Sequence, residues 1–373
     1  APLVELEENH FLLELFHGPT LAFKDFAMQL IGQLFQVVLK RRGKRVTIIG
    51  ATSGDTGSAA IEAFKGLDSV NTFILFPDGR VSDVQRRQMT TAKEDNVHAI
   101  AVNGTFDDCQ SRVKDMFNDH KFRTEVQLAG INSINWARVL AQVVYYFSSA
   151  ISLGAPSRKV SFTVPTGNFG DVFAGYIAKE MGLSIDRLVV ATNQNDILHR
   201  CLSGNGYHTT EVASSISPSM DIQISSNFER ALFFAYRQDA NKISKLMEQL
   251  KQNNGFDISD DALDALSKHY SSGMATEVET SETIKCMLTS SGQLLCPHTA
   301  IGVKVAKELR DNEVPMVTLA TAHPAKFPAA VKKASKATPE LPGRMGDLFE
   351  RSEQTLKVDN DLVQLKNLII DRI

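Results

Sequence analysis

Hydrophobic positions along this chain follow two rhythms. Short β-branched and apolar runs predict strands at VTII (46–49), FILF (73–76), VHAIAV (97–102), VSFTV (160–164), LVVAT (188–192) and MVTLAT (316–321). Between them, apolar residues recur every three to four positions, which predicts amphipathic helices over 25–39, 56–65, 106–117, 135–152, 172–181 and 299–310. This alternation predicts an α/β fold with mainly parallel strands. Residues 226–290 read as more helical and more polar, with Ser259 placed to cap the DISDDALDALSKHY segment. No internal repeat, low-complexity tract or linker marks a domain boundary.

At 373 residues the chain has room for two or three globular units. A hydrophobic fraction of 43% and a charged fraction of 22% are those of an ordinary soluble protein. The net charge of -3 supplies no field for nucleic acid or an anionic membrane, and the KRRGKR cluster at 40–45 reads as a solvated helix end. The longest apolar stretch, 141–155, is broken by Ser and Gly and falls short of the ~18 residues of a membrane span. Four cysteines (Cys109, Cys201, Cys286, Cys296) form no CxxC pair and no metal-binding spacing with histidine, and His298 and His323 lack acidic or Cys partners. No metal is expected, and reduced thiols point to the cytoplasm. The first residues, APLVELEENHF, have neither an initiator Met nor the order of a signal peptide.

Candidate chemistry lies in five phrases. In HGPTLAFKDFAMQLIGQLF (17–35), Gln29, Gln33, Gln36 and Lys40 form the polar face of a helix, whereas Lys24 lies over Met28, Ile31 and Phe35. Burial lowers an ammonium pKa, and a neutral amine is what attacks an aldehyde. On this stripe alone, a lysine at a helix start that snorkels to water is the better reading. VTIIGATSGDTGSAAIEAF (46–64) is a strand, a small polar turn and a helix whose first amides favour an anion. It matches neither GxGxxG nor a Walker loop, so a small carboxylate or phosphate fits better than a nucleotide. Its Asp-Thr-Gly-Ser is a single copy outside an all-β setting, which excludes an aspartic protease. VSFTVPTGNFGDVFAGYIAKEMG (160–182) repeats the strand-loop-helix order, where backbone N–H groups can surround one phosphate, although taken alone it reads better as an ordinary glycine-rich turn. GINSINWARVLAQ (130–142) sets Ser133, Asn135 and Arg138 at a helix start, and LATAHPAKF (319–327) ends a strand at Thr321.

Singly these signals are modest. In this order, HGPT-x-AFKD, GATSGDTG, NSINWAR, PTGNFGD, SPSMD, SSNFER, PHTA-x-G and TAHPAKF resemble the threonine synthase family, within the tryptophan-synthase-β-like pyridoxal-phosphate enzymes, and the longer yeast- and enterobacterial-like subgroup in particular. The resemblance runs from residue 17 to 327. It implies a fold-type-II enzyme of two open, mainly parallel sheets flanked by helices. A larger cofactor domain would take 1–40 and 155–373, and a smaller substrate domain 41–154. It further implies pyridoxal 5'-phosphate joined to Lys24, with its phosphate in the loop Gly167, Asn168, Phe169, Gly170 and Asp171. Thr321 would face the pyridine nitrogen. The turn Thr52, Ser53, Gly54, Asp55 and Thr56 would hold the substrate carboxylate, with Asp55 near the cofactor's phenolic oxygen, where other members of the wider group usually carry Asn. Ser133 and Arg138 would bind the phosphate of O-phospho-L-homoserine, joined by Thr56.

The implied reaction removes phosphate from Cγ, adds water at Cβ and releases L-threonine. The family carries a further N-terminal segment, absent from this sequence, that helps close the active site, and Cys296 stands where Asp is common. Two alternatives remain: a phospholyase that stops short of threonine, and a non-catalytic cofactor-binding relative. A plain dehydratase would have no need of Arg138. Monomer and homodimer are both open.

Overall fold

The computed structural model describes residues 1–373. In chain order its strands are β1 (Leu3–Glu7), β2 (His10–Glu14), β3 (Val46–Ala51), β4 (Val70–Pro77), β5 (Val97–Asn103), β6 (Leu128–Ala129), β7 (Val160–Pro165), β8 (Ile185–Thr192), β9 (Gly206–His208), β10 (Gly255–Asp257), β11 (Tyr270–Met274), β12 (Met316–Ala320) and β13 (Leu356–Asp359). Two compact units result, one of residues 1–16 and 139–339, the other of 17–138 and 340–373.

The first unit is built on a sheet of order β1-β2-β12-β7-β8-β11, parallel throughout except for the β1–β2 pair. Every residue of β7 and β12 is buried. Burial on both faces is why these strands read as unbroken apolar runs. Val189 and Ala191 of β8 pack with Ile301 and Val305 of the helix Pro297–Leu309. The polar section contains four helices, Phe228–Ala235, Ala240–Asn253, Asp260–Ser267 and Glu277–Ser291, but also strand β11, which the sequence reading passed over. Ser259 does stand at the N-cap of its helix, yet its hydroxyl makes no cap; its backbone N–H donates to Tyr236 Oη at 2.9 Å instead.

The second unit carries an all-parallel sheet of order β13-β5-β4-β3-β6. Its core joins Ile49, Phe73, Leu75, Ile100 and Val102 to Met116, Leu365 and Ile369. Helix α1 (Lys24–Arg42) belongs here, because it packs along α2 (Asp55–Phe64), with Phe35 edge-on to Phe64 at 5.7 Å. The boundaries expected from the sequence differ: they put residues 17–40 and the C-terminal segment with the larger unit. That segment supplies β13 and a helix to this core. Residues 41–45 are exposed around the left-handed Gly43 that ends α1, the solvated helix end anticipated for the basic cluster. No helix is long and apolar enough to cross a membrane.

His10 makes the first unit sensitive to acid. Its ring is fully buried, with Nε2 2.8 Å from Thr318 Oγ1 across the β2–β12 pair and Nδ1 3.3 Å from Glu7. Burial lowers its pKa to about 4, against the opposing pull of Glu7, while Arg310 and Lys307 add to the fall. The native state therefore keeps His10 neutral where the unfolded chain would protonate it. Its contribution is intact above about pH 6.5 and is lost as pH falls toward 4, by about 3 kcal/mol in all. Denaturant midpoints at pH 7 and pH 4.5 should separate by less in His10→Gln than in the parent. An equal separation in both would place the acid sensitivity elsewhere.

Candidate active site

Lys24 opens α1 and is buried, on the same face as Met28 and Ile31, while Gln29, Gln33 and Lys40 are exposed. Its Nζ donates to Asp55 Oδ2 at 3.2 Å and lies 5.0 Å from the centre of the Phe23 ring. Asp55, the first residue of α2, is held from its other oxygen by Gln85 Nε2 at 2.9 Å. Gln85 is itself placed by a reciprocal capping box with Ser82 at the start of α3 (Asp83–Thr90). The neighbouring Asp25 carboxylate accepts from the backbone N–H and hydroxyl of Thr20 at 2.9 and 2.6 Å, which fixes the approach to α1.

The turn between β3 and α2 is equally determined. Thr52 Oγ1 accepts the N–H groups of Gly54 and Gly57, both at 2.9 Å. Gly54 has φ 135°, and a Cβ there would lie 2.3 Å from the Gln85 side chain, so only glycine serves. Thr52, Gly54 and Asp55 are buried, Ser53 and Thr56 half-buried. β6 lies beside β3 in parallel, and the chain leaving it forms the turn that carries Ser133 and leads into the helix Trp136–Ser152. The Asn135 side chain caps the Ala137 N–H at 3.0 Å. Arg138 is buried and its Nη1 donates to the Ile131 carbonyl at 3.3 Å. The two predicted substrate segments thus leave the carboxyl ends of adjacent strands, where ligands of parallel sheets gather.

In the first unit, the chain leaving β7 makes the loop Gly167, Asn168, Phe169, Gly170 before the helix Gly170–Glu180. Phe169 adopts φ 62°, unusual for a bulky residue. Its buried ring is held 5.2 Å from both Phe228 and Tyr270, which keeps that conformation in place. A Cβ on Gly167 would meet the Ser219 carbonyl oxygen at 2.7 Å. The backbone N–H groups of Asn168, Phe169 and Gly170 donate to no protein acceptor. Asp171 turns its side chain inward, accepting from Tyr145 Oη at 2.5 Å and Tyr146 Oη at 3.0 Å. Burial, with Asp171 alongside, holds the Tyr146 hydroxyl well above its usual pKa, so it stays a donor. β12 runs parallel to β7 with Thr318 opposite Thr163, and the buried Thr321 directly follows its last residue, Ala320.

Each unit therefore gathers its share of the predicted residues: Lys24, Asp55, the Thr52–Thr56 turn, Ser133 and Arg138 in one, the Gly167–Asp171 loop and Thr321 in the other. Gln85 escaped the sequence reading; the Ser-x-x-Gln pattern signals a helix start but not a hold on Asp55. Lys326 in TAHPAKF is fully buried and was not singled out. Cys296 caps its helix through Sγ, which accepts the Thr299 N–H at 3.4 Å, a role an Asp side chain could also fill. No group of three or more His, Cys, Asp or Glu side chains is arranged to hold a metal ion. A buried lysine amine in one unit suits an aldehyde, and a loop of open N–H groups in the other suits a phosphate.

The family profile "Pyridoxal-phosphate dependent enzyme" matches residues 1–320, and "Threonine synthase, C-terminal" matches 299–369. The threonine synthase of Pseudomonas aeruginosa is 53% identical over 371 residues, 99% of this chain and 79% of that one. The Saccharomyces cerevisiae threonine synthase is 46% identical over 88% of this chain and 69% of its own length. The crystal structure of threonine synthase from Brucella melitensis with pyridoxal phosphate bound superposes with TM-score 0.97 at 57% identity, covering all of this chain and 80% of that one. With two parallel-sheet units of the fold-type-II kind, this chain belongs to the threonine synthase family of pyridoxal-phosphate-dependent enzymes.

Proposed function

We propose that the chain converts O-phospho-L-homoserine and water to L-threonine and phosphate in the cytoplasm, with Lys24 as the residue that carries the cofactor and moves the protons. The observation behind the reading is the buried Lys24–Asp55 pair at the start of α1, inside the AFKD phrase. Pyridoxal phosphate, when bound, supplies the electron sink that lets bonds at Cα, Cβ and Cγ break in turn. Lys24 gives up its link to the cofactor when the substrate amine arrives, and its freed amine takes and returns the protons at Cα and Cβ. Asp55 fixes the direction of that amine, and Gln85 fixes Asp55. Backbone N–H groups of the Thr52–Thr56 turn hold the substrate carboxylate at the helix start. Arg138 and Ser133 hold its phosphate, and the Gly167–Asp171 loop holds the cofactor's phosphate through main-chain donors.

Incubation with pyridoxal phosphate and O-phospho-L-homoserine should release phosphate and threonine in equal amounts. Phosphate accompanied by a keto acid and no threonine would instead mean a phospholyase. The free thiols of Cys109, Cys201, Cys286 and Cys296 agree with a reducing compartment.

Thr321 is read as the group that faces the pyridine nitrogen. A hydroxyl there leaves that nitrogen unprotonated, whereas a carboxylate would hold a proton on it. Thr321→Asp should still bind the cofactor but shift the partition of products toward transamination. An unchanged product ratio and cofactor spectrum would take Thr321 away from the ring nitrogen.

A further inference from the structure

The carbonyl groups of the glycine-rich loop are tied as firmly as its N–H groups are left open. Ser225 Oγ donates to the Gly167 carbonyl at 2.7 Å. Asn227 sets two donors on the Asn168 carbonyl, its backbone N–H and its side-chain Nδ2, each at 3.0 Å. A peptide unit is planar and trans, so its C=O and N–H point in opposite directions. Drawing the Gly167 and Asn168 carbonyls toward residues 225–227 turns the N–H groups of Asn168 and Phe169 the other way. Neither of these two N–H groups donates to a protein acceptor.

The two anchors are themselves fixed. Asn227 is fully buried and immediately precedes the helix Phe228–Ala235. The Phe228 ring meets Phe169 at 5.2 Å on one side and stacks on Tyr207 at 5.4 Å on the other. Tyr207 Oη in turn accepts the Ser225 N–H at 2.8 Å. One packed cluster thus sets both the left-handed turn at Phe169 and the two donors that orient its neighbours.

We infer that Ser225 and Asn227 are positioning residues for the cofactor's phosphate: they hold the two peptide planes from Gly167 to Phe169 with their N–H groups turned outward to meet an anion. The inference rests on reading the Gly167–Asp171 loop as the phosphate site. Neither residue touches the reacting atoms; each acts through the loop.

The test compares two aldehydes that differ only in the phosphate. Protein stripped of cofactor is titrated with pyridoxal phosphate and, separately, with pyridoxal, following the visible absorbance of the lysine-bound form and not turnover. The ratio of the two dissociation constants isolates the phosphate. In the parent, pyridoxal phosphate should bind far more tightly than pyridoxal. Removing Ser225 Oγ takes the side-chain donor from the Gly167 carbonyl, whereas Asn227→Ala removes one of two donors from the Asn168 carbonyl and keeps the backbone N–H. Each should cut that ratio about 3- to 10-fold, and Asn227→Asp, which sets a carboxylate oxygen against the carbonyl, should cut it further. Ser225→Thr, which keeps the hydroxyl, should stay close to the parent. Pyridoxal affinity should not move in any of them. A parent indifferent to the phosphate would overturn the loop reading itself. A discriminating parent whose folded variants keep the full ratio, or lose both affinities together, would overturn the positioning role alone. If Asn227→Ala does not fold, the Ser225→Ala and Ser225→Thr pair still decides.

Discussion

Lys24→Ala should leave a folded protein that never develops the visible absorbance of lysine-bound cofactor and turns over at least ~10²–10⁴-fold more slowly. The expectation follows from a single amine that both carries the cofactor and moves the protons. The substitution has a second consequence, because Lys24 and Asp55 are both buried and 3.2 Å apart. Removing one member of a buried ion pair strands the other, at a cost of about 3–5 kcal/mol. Lys24→Ala should therefore also melt earlier. Adding Asp55→Asn to it should recover most of the stability, since an amide can still meet Gln85 Nε2, while recovering none of the turnover. The double variant thus separates an active-site role from a structural one. Lysine-bound absorbance persisting in Lys24→Ala would move the attachment to another lysine.

How much of this was legible in the sequence depended on burial. All eight residues of β4 and all five of β12 are buried, so both appear as apolar runs that no helix period explains. Strand β11 is an edge strand of sequence YSSGM, half-buried at Ser271 and Ser272, and carries no such signal. The β1–β2 ribbon pairs antiparallel beside a parallel sheet, with half-buried acidic positions that blur its alternation. Division into units was less legible still. The period of α1 shows which face is buried but not what it is buried against, and its packing on α2 places Lys24 in the same unit as Asp55.

The candidate site divides along similar lines. Residues in strand-to-helix turns were readable, because glycines and small polar residues after an apolar run mark the carboxyl end of a strand. Gln85, Ser225 and Asn227 were not, since each acts on a residue far away in sequence and looks locally like a capping or loop residue. Tyr145 and Tyr146, within an apolar helix, read as core until Asp171 is seen to accept from both.

Arg138→Ala should weaken the use of phosphohomoserine by ~30-fold or more in kcat/KM, most of it through KM. The side chain is buried in the first turn of the helix Trp136–Ser152, which follows β6, the neighbour of the strand that leads into the Thr52–Thr56 turn. Loss of a buried, charge-assisted contact to a ligand typically costs about 2–5 kcal/mol. A guanidinium suits a phosphate because its planar donors reach two oxygens at once. Arg138→Lys should therefore restore only part of the loss, a point charge standing in for a two-pronged donor. Unphosphorylated homoserine analogues should be nearly indifferent to both changes, since they lack the group being held. Inorganic phosphate should compete with substrate in the parent and lose most of that effect in Arg138→Ala. Equal damage to phosphorylated and unphosphorylated substrates would make Arg138 a packing residue, tied to the Ile131 carbonyl, and the substrate phosphate would then have to be held by other groups.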